Sequence, residues 1–146
     1  MRSLFKGLVV LCGAILLSGS ARADTPNFNK RGSNDKEEKA FVEAVAQTIV
    51  KAARSSVTEK DITLQEYKLK EEAKEGRMNL TITATYKGAV TKTRYTADIV
   101  VHLDTSTKDK WEVLRIAYTD NNQSPVPFSR KEIEALVKKF NSAARE

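Results

Sequence analysis

The sequence predicts an α+β fold over residues 34–146, with an N-terminal helix, a four-stranded antiparallel meander and a C-terminal helix. Apolar residues recur every three or four positions in the first and last segments, which is typical of amphipathic helices. Between them, several segments alternate apolar with polar residues, as in a sheet with one buried face. Because the strand segments follow one another directly, we expect both helices to pack on one face of a single sheet.

Residues 1–23 have the three parts of a cleavable signal peptide. Basic residues precede the uncharged apolar run 8–17, and Ala21-Arg22-Ala23 supplies the small residues that a signal peptidase reads. The run is too short to span a membrane, which takes about 20 residues. We therefore expect cleavage near Ala23 and a secreted or periplasmic mature chain. Residues 24–33 are expected to form a flexible lead-in, in which Phe28 is a candidate to dock on the domain.

Removal of this peptide changes both the charge and the cysteine content. The precursor carries a charge of +6, and loss of Arg2, Lys6 and Arg22 leaves +3. Nucleic-acid binding usually requires a clustered basic face, so we do not expect such a partner. Cys12 is the single cysteine and lies in the apolar run. The mature domain therefore offers no disulfide, thiolate nucleophile or cysteine metal site, and we expect no cofactor.

The first helix is predicted from Asn34 to about Arg54. Asn34 is a favourable N-cap, and Glu37, three residues later, completes a capping-box pattern. The apolar stripe of this helix consists of Phe41, Val45 and Ile49. The segment 62–69 then reads as a weaker strand whose alternation changes phase midway, which indicates a β-bulge.

The clearest strand covers 78–86, where apolar residues alternate with asparagine and threonine. A turn at Lys87-Gly88 is predicted to return the chain in a long strand over 90–103. A two-residue turn would pair Leu80 with Tyr95 and would place the apolar residues of both strands on the same face. A four-residue turn keeps the same parity, so the assignment of faces does not depend on the turn length.

A fourth strand is predicted over 111–118, but its buried face is left open. Trp111 and Val113 share one alternation phase, whereas Leu114, Ile116 and Tyr118 share the other. Either set of side chains could face the core.

The last helix has clear start signals. Ser129 and Glu132 form a capping box, and Phe128 is placed to pack on Ile133 as a hydrophobic staple. Its apolar stripe consists of Ile133, Leu136, Val137 and Phe140. We expect this stripe to be part of the domain core.

The sequence offers no catalytic constellation, and we expect a domain that is not an enzyme. His102 is the only histidine and lies on the polar side of the third strand, which favours a solvated side chain over a dyad or metal site. Asp120-Asn121-Asn122 resembles part of a calcium loop but lacks its glycine and distal glutamate. Motifs for a serine triad, a phosphate loop and a dinucleotide fold are missing from the sequence.

Two sets of residues are candidates for binding. Lys92 and Arg94 are expected beside Thr83 and Thr81 on the solvent face of the sheet, where they could bind an anion. A pocket between sheet and helices could be lined by Tyr95, Trp111 and Tyr118. Threonine is frequent in these strands, but the predicted register puts Thr91 and Thr93 on the opposite face, so no single threonine surface is expected.

The segment Lys108-Asp109-Lys110-Trp111-Glu112-Val113-Leu114-Arg115-Ile116 resembles the late strand of small exported NTF2-like or cystatin-like domains. In those domains a polar turn leads into a tryptophan and alternating apolar residues, and a helix is followed by an antiparallel meander. The chain departs from both groups. NTF2-like domains usually have more helix before the sheet. Cystatins have a Q-x-V-x-G hairpin, and the segment of this chain that begins in the same way, Gln47–Lys51, lacks the glycine. The resemblance therefore implies a fold but transfers no functional residue and no protease inhibition.

Two functions follow as hypotheses. The first is an exported, non-catalytic domain that binds a protein, a peptide or an envelope component. The second is an NTF2-like pocket that binds or converts a small molecule. A filled apolar core would favour the first, and a cavity with several polar side chains between sheet and helices would favour the second.

Overall fold

The computed structural model describes residues 25–90, 92–107, 110–124 and 128–145, and within these ranges it confirms the predicted α+β fold. The elements are α1 Asp35–Ala53, β1 Ile62–Glu71, β2 Arg77–Lys87, β3 Arg94–Asp104, β4 Glu112–Asp120 and α2 Arg130–Ala143. The strands form one antiparallel sheet in the order β1-β2-β3-β4. The predicted signal peptide, residues 1–23, lies outside the described residues.

Both helices pack on the same face of the sheet, and the core lies between the helices and that face. Helix α1 covers β1 and β2, whereas α2 lies along β4. The most deeply buried side chains include Val45, Ile49, Ile82, Ile99, Leu103 and Phe140. Burial of each large apolar side chain stabilises the fold by about 1.5–3 kcal/mol. The other face of the sheet, which we call the solvent face, is not covered by either helix.

Helix α1 begins at the predicted cap with one difference. The side chain of Asn34 accepts a hydrogen bond from the Glu37 amide at 2.9 Å, as predicted. The Glu37 carboxylate accepts from the Ser33 amide at 2.9 Å, one residue before the predicted partner, and this bond lowers the pKa of Glu37. The chain passes very close to α1 here, because a Cβ added to Gly32 would lie 2.4 Å from that of Glu37.

The lead-in is anchored to the core by Phe28. This side chain is 1% exposed, and its ring lies edge-to-face against Phe41 and Phe140, with centroid distances of 5.0 and 5.6 Å. Such pairs add about 0.5–1.5 kcal/mol beyond their buried area. The side chain of Asn29 also accepts from the Trp111 amide at 2.8 Å. This part of the predicted lead-in therefore belongs to the folded domain.

The predicted pairing of β2 with β3 has the correct parity but the wrong register. Tyr86 is opposite Tyr95, and Leu80 is opposite Val101 rather than Tyr95. The predicted strand over 90–103 begins only at Arg94, because the chain forms a longer loop. In that loop the Gly88 amide donates to the Thr93 carbonyl at 2.8 Å, and Lys92 has a φ of 60°. The observed register differs from the predicted one by six positions, which is an even number, so the alternating apolar side chains of β2 and β3 stay on the predicted face.

Two irregularities shape the outer strands. The bulge predicted in β1 is confirmed by the register shift between Leu64 and Glu66. In β4 a second shift makes Leu114 the extra residue, since Leu103 is opposite Val113 and His102 is opposite Arg115. Val113 before the bulge and Ile116 after it are both buried, which answers the open question about β4. Both alternation phases face the core, one on each side of the bulge.

Helix α2 begins as predicted. The Glu132 amide donates to the Ser129 hydroxyl, and the Ser129 amide donates to the Glu132 carboxylate, both at 3.2 Å. Phe128 and Ile133, the predicted staple, both pack against the core. The ring of Phe128 lies edge-to-face on Tyr118 at 6.0 Å. The start of α2 is therefore fixed to β4.

Candidate functional site

The three aromatic residues predicted to line a pocket do not meet. Trp111 directly precedes β4, and there the Arg31 guanidinium stacks 3.4 Å from its ring centroid. Tyr118 lies near the other end of the same strand and donates to Asp120 at 2.7 Å. Tyr95 is at that second end, with its ring 5.4 Å from the ring of Tyr86. The structure thus brings Tyr95 and Tyr118 to one end of the sheet and leaves Trp111 at the other.

The predicted anion patch is wrong in its placement. Arg94 is opposite Lys87 rather than beside Thr81, and Lys92 lies in the loop before β3. Residues opposite Thr83 and Thr81 are Asp98 and Val100. The cause is the register of the hairpin, which shifted the two basic residues toward the loop.

The solvent face instead carries threonines in register. The direct cross-strand neighbours are Thr63, Thr85 and Thr96. Thr83 shares this face, whereas Thr93 lies in the loop and Thr91 lies outside the described residues. The face therefore carries a group of neighbouring threonines, of which Thr93 is not a member. Threonine has a high β propensity and tolerates water, so the surface needs no ligand to explain it.

His102 lies half-buried on the solvent face, as predicted. Its Nε2 is 3.1 Å from a guanidinium nitrogen of Arg115. Burial, and then the positive charge of Arg115, lower the pKa of His102, so its ring is neutral near pH 7. No cluster of three or more potential metal-ligating side chains occurs in the described part of the chain.

A buried polar cluster surrounds Asp120 at the end of β4. Its carboxylate accepts five hydrogen bonds from the described residues, two of them from Arg54 at 3.0 and 3.1 Å. Tyr118 and Tyr86 donate at 2.7 and 2.9 Å, and the Asn122 amide donates at 3.1 Å. The cluster therefore joins the C-terminal end of α1 to the end of the sheet.

The hydrogen bonds of this cluster determine its protonation. Burial alone would raise the pKa of Asp120, but the bonds from Arg54, Tyr118 and Tyr86 outweigh burial and lower it. Burial and the bond to Asp120 raise the pKa of Tyr118. The carboxylate is charged, and its acceptor positions are used within the protein. Its role is therefore structural, and it is not placed to act as a general base.

Among the residues that the structure describes, the core side chains between helices and sheet are closely packed. The indentation at the end of the core beside Phe28, Leu103 and Trp111 has a volume of about 10 Å³. One water molecule needs about 10–15 Å³ by the same measure. The region between helices and sheet is therefore filled by side chains.

A larger open groove lies outside the core, between β4 and α2, and we call it the edge groove. Its volume is about 610 Å³, within the range of about 300–1,000 Å³ that ligand sites occupy. Its lining consists of Leu114, Arg115, Ile116, Arg130, Ile133, Glu134, Val137 and Lys138. The floor of the groove is apolar, and the charged side chains form its rim.

The apolar floor arises because the stripe of α2 is wider than its contact with the sheet. Leu136 and Phe140 are buried against the core, whereas Ile133 and Val137 are only half-buried and line the groove. The bulge in β4 turns Leu114 outward, where it is 40% exposed. The groove was not predicted from the sequence, although the two conflicting alternation phases of β4, which meet at Leu114, indicated an irregularity there.

The edge of β4 is capped at one end of the groove. The side chain of Asn141 accepts from the Val113 amide at 2.8 Å and donates to the Val113 carbonyl at 2.9 Å. This amide occupies the backbone groups that a neighbouring strand would use. Pairing at the start of β4 is therefore blocked by α2 itself.

Comparison with protein-family models, curated proteins and solved structures gives no match for this chain. The resemblance to NTF2-like and cystatin-like domains thus stays a prediction. Among the described residues, the helices are too short or too polar to cross a membrane.

Proposed function

We propose that this chain is an exported, non-catalytic binding domain whose partner docks in the edge groove. The observation that carries the proposal is an open apolar groove of about 610 Å³ beside a sheet edge, on a domain whose interior is filled. An apolar surface rimmed by polar residues is typical of a binding site. In the edge groove the apolar side chains include Leu114, Ile133 and Val137, and charged side chains lie beside them.

The alternative function, an NTF2-like pocket for a small molecule, is not supported by the geometry. Such a pocket would lie between sheet and helices, where the described core side chains are buried and the indentation beside Phe28 and Trp111 has a volume of about 10 Å³. Its predicted lining residues Tyr95 and Trp111 lie at opposite ends of the sheet. The geometry therefore favours a function in binding at the surface over one in an internal pocket.

Site-specific photo-crosslinking tests the location of the binding surface. A benzophenone side chain replaces Leu114 in the groove or, as the control, Thr81 on the solvent face, where the side chain is also exposed. We expect a discrete adduct from position 114 and none from position 81 in cells that make the protein. Adducts from position 81 alone would contradict the proposed site.

Export is tested by the mass of the protein recovered outside the cytoplasm. We expect its N-terminus at Asp24, which follows from cleavage after Ala23. A mature chain that begins at an acylated Cys12 would contradict this proposal, because it would be anchored by lipid.

A further inference from the structure

The backbone of β4 presents an unoccupied edge in the middle of the groove. In an antiparallel ladder, every second residue directs its amide and carbonyl away from the neighbouring strand. The Asn121 amide donates to the Thr96 carbonyl at 3.2 Å, so the backbone groups of Asn121 point toward β3. Because the direction alternates along the strand, the amide and carbonyl of Ile116 point away from β3, toward the open edge. The backbone groups of Val113 also point away from β3, as their bonds to Asn141 show. Val113 and Ile116 are three positions apart rather than two because the bulge inserts one residue between them. No described side chain caps Ile116 as Asn141 caps Val113.

The side chains around this edge suit an added strand. Successive side chains of a strand point to opposite faces, so alternate residues of an added strand would point toward α2. There they would meet Ile133 and Val137, which pack against the core on one side and remain half-exposed where they line the groove. A helix could fill the same groove, but its own backbone groups are already bonded and cannot pair with Ile116.

The rim of the groove sets the charge of the occupant. Arg115, Arg130 and Lys138 line it, against the single acidic residue Glu134. Arg130 and Glu134 are paired at 3.4 Å, and a guanidinium nitrogen of Arg115 lies 3.1 Å from the neutral ring of His102. Three basic residues and one acidic residue leave the lining with a net positive charge, which Arg115 at the sheet edge and Lys138 on α2 carry. A second copy of this chain would bring the same basic rim to the contact and would be repelled. Charge complementarity therefore favours an acidic occupant.

From these three features we infer that the partner inserts an extended, acidic segment that adds to the sheet as a fifth strand beside Leu114–Tyr118. Main-chain hydrogen bonds would provide affinity, and alternate apolar side chains under α2 would provide specificity. This inference rests on the proposed function, because it names the class of partner for the same groove. The Asn141 cap at Val113 sets where the added strand must stop.

A displayed library of random peptides, selected on the exported protein, tests the inference. We expect the selected peptides to alternate apolar residues with aspartate or glutamate. N-methylation of alternate backbone amides in the tightest peptide should weaken binding by at least about tenfold, since each methylated amide loses its hydrogen bond to β4. Arg130→Glu should weaken binding about as strongly. Lys139→Glu, at an exposed position on the other side of α2 that does not line the groove, should leave binding unchanged.

The outcomes separate this inference from the proposed function. Groove-dependent peptides that tolerate N-methylation, or that are helical or basic, would overturn strand addition. So would the selection of no peptide that is sensitive to Arg130→Glu. In each of these cases an adduct from position 114 and not from position 81 would still support binding at the groove. Loss of that adduct as well would overturn both.

Discussion

Asp120 has a fully buried side chain, and a buried carboxylate is tolerated only when its charge and lone pairs are compensated. Arg54 supplies the countercharge through two bonds, and Tyr86 and Tyr118 complete the shell. Arg54 is itself only 9% exposed, so neither charge has access to much water. The pair thus fixes the relative positions of α1 and β4 and depends on both members.

Replacement of Asp120 by asparagine should therefore be strongly destabilising. Asp120→Asn leaves the Arg54 guanidinium buried without its countercharge, and loss of one partner of such a pair costs about 3–5 kcal/mol. Urea denaturation measures the free energy of unfolding. Asp98→Asn, on the exposed solvent face, is the matched control and should stay within about 0.5 kcal/mol of the parent. Equal effects of the two substitutions would contradict the structural role of the cluster.

The same carboxylate should make stability depend on acid pH. Burial would raise the pKa of Asp120, but its hydrogen bonds lower it below the value in the unfolded chain, which is about 3.9. The folded state then binds its proton less readily than the unfolded state. The resulting stabilisation is present at neutral pH and is lost as the pH falls below about 4. Urea midpoints measured across this range should fall more steeply for the parent than for Asp120→Asn, and parallel curves would argue against the lowered pKa.

Helix α2 serves two surfaces with one apolar stripe. Leu136 and Phe140 face the core, and Ile133 and Val137 line the edge groove. The capping box at Ser129 fixes where the helix begins and therefore which side chains face each way. The stripe was predictable from spacing, but its division between core and groove depends on the position of α2 over β4.

Alanine substitutions along α2 should reflect this division. Leu136→Ala removes a buried side chain and should cost about 2–5 kcal/mol, through lost transfer free energy and the cavity left behind. Val137→Ala, at the adjacent half-buried position, should cost about 1 kcal/mol or less because the site stays open to water. The urea midpoint of each variant checks this order. A larger loss for Val137→Ala would place the groove side of α2 in the core.

The edge of β4 depends on one amide side chain. Asn141→Ala removes both bonds to Val113, and each exposed or unpaired backbone group should contribute to a loss of about 1–3 kcal/mol in the free energy of unfolding. It should also release the Val113 amide, which hydrogen exchange would detect as a loss of protection at that position. Ser142→Ala, at the exposed neighbouring position, should change neither the stability nor the protection of the Val113 amide. Unchanged stability of Asn141→Ala would contradict the cap.

At the scale of the molecule, the assignment of faces was predictable and the register was not. Period-two alternation fixes which side chains of β2 and β3 face the core, whatever the loop length. The register depends on the loop, and nothing local to Val90 or Thr93 distinguishes a strand from a loop that closes at Gly88 and Lys92. The predicted positions of Lys92 and Arg94 beside Thr83 and Thr81 were wrong for this reason, since they depended on the register.

The polar cluster around Asp120 and the edge groove could not be predicted from the sequence for a different reason. Arg54 and Asp120 are 66 positions apart, and their pairing is a product of the meander. The groove forms where the bulge at Leu114 meets the outer side of α2, and neither element alone indicates it. Sequence patterns identify elements and faces, whereas sites between distant elements require the assembled fold.

Amide hydrogen exchange of the free protein tests the central claim most directly, because the proposed site depends on an open edge at Ile116. The Val113 amide is held by Asn141, and the ladder alternation places the Ala117 amide in bonds to β3. We predict slow exchange at Val113 and Ala117 and fast exchange at Ile116 between them. Protection at Ile116 equal to that at Ala117 would show that the edge is already covered, and the proposed binding site would then be wrong.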